Sequence, residues 1–90
     1  MNYYELVKKF IVHYEIVFEK SGNAVQGSME VKPGEQMSDP DGNVYKVKNE
    51  DDAIQYVNDF YYHNSEDDMV DLPKDFDGDT RLDIIEVIQK

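Results

Sequence analysis

The stretch Phe10–Phe18, FIVHYEIVF, alternates with period two: Phe10, Val12, Tyr14, Ile16 and Phe18 share one face, and Ile11, His13, Glu15 and Val17 share the other. Successive side chains of an extended chain point to opposite sides, so this pattern predicts a strand with one buried face. Ser21-Gly22-Asn23 supplies turn residues directly after it. Val25, Gly27, Met29 and Val31 then alternate with Gln26, Ser28, Glu30 and Lys32, which predicts an antiparallel partner strand. A hairpin with one apolar face needs a second layer to cover that face.

The rest of the chain offers the cover. Pro33-Gly34 breaks the second strand, Asp39-Pro40-Asp41-Gly42-Asn43 is strong turn chemistry, and Val44 to Lys48 reads as a third strand. Asn49 is placed to cap a helix whose first turn, Glu50-Asp51-Asp52, suits the positive end of the helix dipole. Ala53, Ile54, Val57, Phe60 and Tyr61 form an apolar stripe at helical spacing, ending near Asn64. At the N-terminus, Asn2 with Glu5 three residues later predicts a short capped helix to about Lys9. Residues 65–80 read as an acidic, irregular connection. The last ten residues fit two elements: Leu82, Ile85 and Ile88 with Ile84 suit a helix capped by Thr80 and Asp83, and the β-branched run suits a strand, with helix the favoured reading. The expected fold class is α+β, a three-stranded antiparallel sheet with packed helices in the order α-β-β-β-α plus a C-terminal helix or strand. It forms a single acidic domain over 1–90.

Charge is unevenly placed. Residues 1–34 carry four acids and four lysines, whereas residues 35–90 carry sixteen acids against five bases and so account for the whole net charge of -11. Such a field repels nucleic acid and anionic membrane and attracts basic surfaces. The chain has no cysteine, which excludes disulfides and thiolate metal sites. Its first residues lack the apolar run of a signal peptide, and no stretch approaches membrane-spanning length. A cytoplasmic protein without membrane contact is expected. No glycine-rich phosphate loop, zinc-protease motif or nucleophile set stands out, so the chain is expected not to be an enzyme.

Two patterns are candidates for a divalent metal of unknown identity. Asp75, Asp77, Asp79, Asp83 and Glu86 occupy positions 1, 3, 5, 9 and 12 of a string that resembles an EF-hand calcium loop, with Leu82 at position 8. The shorter DFDGDTRLD also resembles the calcium loops of integrin-type propellers. The departure is Thr80 at position 6, where a glycine normally takes a left-handed conformation that a β-branched residue adopts poorly. Second, Asp59, His63 and Asp67 fall on one helix face at four-residue spacing, a pattern that suits zinc or a similar ion. The related string Asp39, Asp41, Asn43 and Glu50 is more simply a hairpin turn. A small calcium-type metal-binding domain is therefore the alternative reading of function.

The leading reading is a binding surface. Residues 50–86 hold thirteen acids and two bases, seven of the acids within 66–79. Carboxylates at such density can stand in for the phosphates that rows of Lys and Arg grip on a duplex. Glu50, Asp51, Asp52, Asp59, Glu66, Asp67, Asp68 and Asp71 would supply charge, and Tyr56, Tyr62 and Met69 lie near them as apolar anchors.

The order of elements, the size and the acidic second half resemble the small phage-encoded anti-CRISPR proteins that block the type II RNA-guided nuclease. Met1-Asn2 with Leu6-Val7 is similar to the first helix of one such inhibitor. Asp41-Gly42-Asn43, Tyr45 and Val47, leading into Glu50, Ile54, Val57 and Phe60, resemble its last hairpin strand and following helix. In that family, acids after the helix occupy the nuclease's DNA-entry site, where basic residues read the short flanking motif. The resemblance implies that role for Glu66, Asp67, Asp68 and Asp71, a basic nucleic-acid-binding protein such as a CRISPR effector nuclease as partner, and the cytoplasm of a phage's bacterial host as location. The match covers roughly the first two thirds of the chain; the segment from Asp75 departs from it.

Overall fold

The computed structural model describes residues 7–73 and 78–90. Strand β1 (Phe10–Phe18) is the centre of a three-stranded antiparallel sheet ordered β2-β1-β5, with β2 (Ala24–Val31) on one side and β5 (Thr80–Gln89) on the other. Two short strands, β3 (Gln36–Ser38) and β4 (Val44–Lys46), pair with each other in a separate hairpin. Helix α1 (Glu50–His63) follows, and a 3-10 turn at Glu66–Asp68 leads away from it. The fold is α+β in the order β-β-β-β-α-β.

This order corrects the sequence expectation of α-β-β-β-α in three places. The predicted N-terminal helix falls partly on residues 1–6, outside the described residues, and Val7–Lys9 are not helical. Instead Lys8 N and Lys9 N both donate to Lys90 O (2.8 and 3.0 Å) and Lys90 N returns to Lys9 O at 2.9 Å, prolonging the β1–β5 ladder. The third strand of the main sheet is the C-terminal segment, and the Val44 strand belongs to the small hairpin. The C-terminal segment is therefore a strand and not a helix. Its apolar spacing looked helical because the β1–β5 register shifts between His13 and Tyr14, where Tyr14 faces Ile84 and His13 faces Glu86. Ile85 is the extra residue of a β-bulge, so Leu82 and Ile84 before it and Val87 after it fall on the same face.

The alternating face of β1 is the core. Phe10, Val12, Tyr14, Ile16 and Phe18 are buried beneath α1, together with Val31, Val47, Ala53, Val57, Met69 and Val70. Helix and hairpin both lie on this side, so the molecule is thin, 51 × 27 × 15 Å. The opposite face of the sheet, with Ile11, His13 and Glu15, carries no second layer among the described residues.

One contact fixes the segment after the helix. Tyr14 and Gly27 are cross-strand partners, and the Tyr14 ring lies across the glycine to donate its hydroxyl to Met69 O at 2.8 Å in the buried interior. A Cβ on residue 27 would stand 2.8 Å from Tyr14 Cε1 and 2.9 Å from Met69 O, closer than real contacts allow. Gly27→Ala is expected to lower stability by about 2 kcal/mol through this overpacking. Tyr14→Phe, which leaves the carbonyl unpaired, is expected to lower it by about 1 kcal/mol. Urea unfolding of the two variants beside the parent measures both; an unchanged midpoint for Gly27→Ala would show that the approach is not close.

Candidate partner-binding surface

The acids of α1 divide into those the fold uses and those it leaves to solvent. At the helix start, Asn49 Oδ1 accepts from Asp52 N (2.9 Å), and Asp52 Oδ2 reaches back to accept from Lys48 N (2.9 Å), a reciprocal cap. Glu50 Oε1 accepts from Gln89 Nε2 at 2.8 Å, tying the helix start to the end of β5. Asp51 is exposed and engages neither of these contacts. Asp59 is only 6% exposed and accepts the Tyr45 hydroxyl at 2.7 Å, so it joins the helix to β4. Burial, reinforced by the Asp59 carboxylate, holds the Tyr45 hydroxyl well above its ordinary pKa. Tyr56 is half-buried, and its pKa is raised by burial and by a hydrogen bond to Glu35.

At the helix end, His63 Nε2 meets Ser38 O at 2.9 Å, and its ring stands edge-on to Tyr62. Asn64 closes the helix by returning both its backbone and side-chain nitrogens to Phe60 O. In the 3-10 turn, Asp68 Oδ2 accepts from Ser65 N (3.2 Å). Glu66 Oε1 accepts from Thr80 Oγ1 (2.8 Å), and Tyr61 donates to the same threonine hydroxyl, which clamps the turn to the start of β5. Met69 and Val70 are buried, so Met69 is core and not an anchor. Asp67, Asp68 and Asp71 remain exposed along the segment that leaves the helix.

These tethers bring together residues that are far apart in sequence. Because Ser38 meets His63 and Tyr45 meets Asp59, the tip of the β3–β4 hairpin points toward the C-terminal end of α1. There Asp39 Oδ1 accepts from Asp41 N (2.9 Å) and Asn43 N (2.8 Å), bonds that hold its carboxyl below the usual range. The β1–β2 turn lies at the same end, with Glu19 N donating to Asp79 O at 3.0 Å. Glu19, Asp39, Asp41, Glu66, Asp67, Asp68 and Asp79 thus gather at one end of the molecule together with Lys20 and Arg81, while Lys8, Lys9, Lys32, Lys48 and Lys90 lie toward the other. The pairs Lys9–Glu30 and Arg81–Asp83 draw on none of the exposed acids Asp41, Asp67, Asp68 and Asp71. Val44 and Tyr62, 64% and 63% exposed, are the large apolar side chains beside this end. Sequence reasoning had included Tyr62 but neither Val44 nor the hairpin acids, because nothing local in DPDGN says which way the hairpin points.

Among the described residues, the metal candidates do not converge. Asp59 is turned to Tyr45, His63 to Ser38, and Asp67 lies beyond the helix. Asp75 and Asp77 fall outside the described residues. Asp83 and Glu86 lie on β5, opposite Glu15 and His13 respectively. Seven residues of extended chain set Asp79 and Glu86 about 23 Å apart, whereas a calcium loop must curl its ligands around one ion. Among the described residues no group of three or more His, Cys, Asp or Glu side chains is arranged to hold a metal, and no helix is long and apolar enough to cross a membrane.

The buried Tyr14 and the half-buried Tyr45 and Tyr56 give a pH signature. Tyr14, Tyr45 and Tyr56 all have raised pKa values in the folded state, with burial the largest cause. Their contribution is complete below the unfolded value of about 10 and is lost as pH rises above it. Stability is therefore expected to fall above about pH 10, and Tyr45→Phe to be weaker at neutral pH by about 1–2 kcal/mol with a shallower alkaline loss. Urea midpoints across the alkaline range test this, and an unchanged slope in Tyr45→Phe would count against it. No protein-family model, curated protein or solved structure matches the chain.

Proposed function

We propose that this chain is a non-enzymatic inhibitor that covers a basic, nucleic-acid-contacting surface of another protein. The first target to test is the DNA-entry site of a type II CRISPR nuclease. The observation that carries this reading is the gathering of exposed carboxylates from separate chain segments at one end of a thin, rigidly tethered domain. Asp41 comes from the hairpin, and Asp67, Asp68 and Asp71 from the segment after the helix. A net charge of -11 steers the domain toward a basic cleft and speeds encounter. Tyr62 and Val44, exposed beside the acids, give the apolar contact that slows release. The nuclease enters through the resemblance of the hairpin-helix segment and the acids after it.

The test is a cleavage assay in which the protein is titrated into guide-loaded nuclease before target DNA is added. The expected result is dose-dependent loss of cleavage that weakens as salt rises. The triple variant Asp41→Lys, Asp67→Lys, Asp71→Lys should raise the half-inhibitory concentration by about 100-fold, on the scale of about 1 kcal/mol per rim charge. Cleavage untouched across several type II nucleases would remove that target. Inhibition that survives the triple reversal would remove the acidic surface as its cause.

A further inference from the structure

Strand β5 lies at the edge of the sheet, and among the described residues no backbone group pairs with its outer side. It is ten residues long, TRLDIIEVIQ, with five β-branched residues and neither the proline nor the lysine that commonly blunts a free edge. Ile85, the bulged residue, is 50% exposed on it. The helix adds to this border. Glu50 meets Gln89 and Tyr61 meets Thr80, so the flank of α1 carrying Ile54 and Tyr61 runs along β5, and both side chains are only half-buried.

We propose that β5 pairs antiparallel with β5 of a second copy across a two-fold axis, continuing the sheet to six strands. Residues directly opposite one another in such a pair share a face. The bulge places Thr80, Leu82 and Ile84 on the core face before it and Val87 and Gln89 on that face after it. The fully overlapping register that keeps core opposite core therefore sets Thr80 against Gln89 and Leu82 against Val87 of the mate. The same register sets Asp79 against Lys90 of the mate, a pairing repeated by symmetry. That charge complementarity is what selects a second copy as the occupant. The two helices run antiparallel above the junction, where Ile54 and Tyr61 of each approach the axis. The register has one repulsive element, Asp83 opposite Glu86, repeated by symmetry.

Sedimentation equilibrium of the purified chain up to about 100 μM, a range that reveals interfaces of modest affinity, is expected to show twice the 10.5 kDa chain mass. Ile85→Lys puts a charge on the free edge at a half-exposed position; it should keep the circular dichroism of the parent and sediment as a monomer. Glu86→Lys sets an ammonium opposite Asp83 of the mate twice over and should tighten the dimer by about tenfold. A chain that is monomeric throughout, or a dimer that neither substitution shifts, overturns the proposal.

Discussion

The segment that carries the exposed acids Asp67, Asp68 and Asp71 is held down by a hydrogen bond inside the core. Residues 65–73 have little apolar surface and strong mutual repulsion, and left alone they would have no reason to settle on a sheet. Met69 and Val70 supply the hydrophobic part, and the Tyr14 hydroxyl gives the Met69 carbonyl a partner where water is excluded. That bond exists only because residue 27 has no side chain, which lets an aromatic ring on one strand lie across its neighbour. The Glu66–Thr80–Tyr61 contacts then fix the near end of the same segment to β5. One glycine and one tyrosine in the first hairpin thus decide where carboxylates forty residues later point.

Several elements were legible in the sequence because they rest on local rules. The β1–β2 hairpin follows from strict alternation around Ser21-Gly22-Asn23, and Gly22 takes the left-handed conformation (φ 78°) that such a turn needs. The helix limits follow from Asn49 and Asn64. What failed depends on distant partners. Strand β5 could be recognised only through its pairing with β1, since a bulge at Ile85 shifts the alternation and imitates a helical stripe. The Val44 strand matched the expected type but joined a different sheet, and nothing local in a short strand says which neighbour it will find. The acidic surface was legible as composition. Its division into buried, capping and exposed acids was not, because Asp59 and Asp67 are equally polar on paper and only the position of Tyr45 separates them.

That division bears on what the acids are for. Asp39, Asp52, Asp59, Glu66 and Asp68 each accept a hydrogen bond from a backbone amide or a neighbouring hydroxyl, and replacing them would disturb the fold itself. Asp51 sits in the first turn of α1, where the helix dipole favours an acid, whereas Asp41, Asp67 and Asp71 accept none of these bonds and face solvent. Like charges brought together at one end raise the free energy of the folded state. An acid that contributes nothing to folding and adds to that repulsion needs another explanation, and recognition of a basic surface provides one.

Spacing is the remaining requirement for such recognition. Carboxylates on flexible loops would lose much of their attraction to the entropy of being ordered on binding. Here the two groups of acids are tied to one packed body of helix and sheet. The hairpin is held to α1 at Tyr45–Asp59 and Ser38–His63, and the segment after the helix at Thr80 and Tyr14. The distance between Asp41 and Asp67 is therefore set by packed side chains before any partner arrives. A mismatch with the partner's cations would then weaken binding, because the domain has little freedom to adjust. Under the proposed function, specificity would lie in the geometry of the tethers, and a substitution at Tyr45 or Asp59, remote from the exposed surface, would alter recognition by moving the hairpin acids relative to those of the helix end.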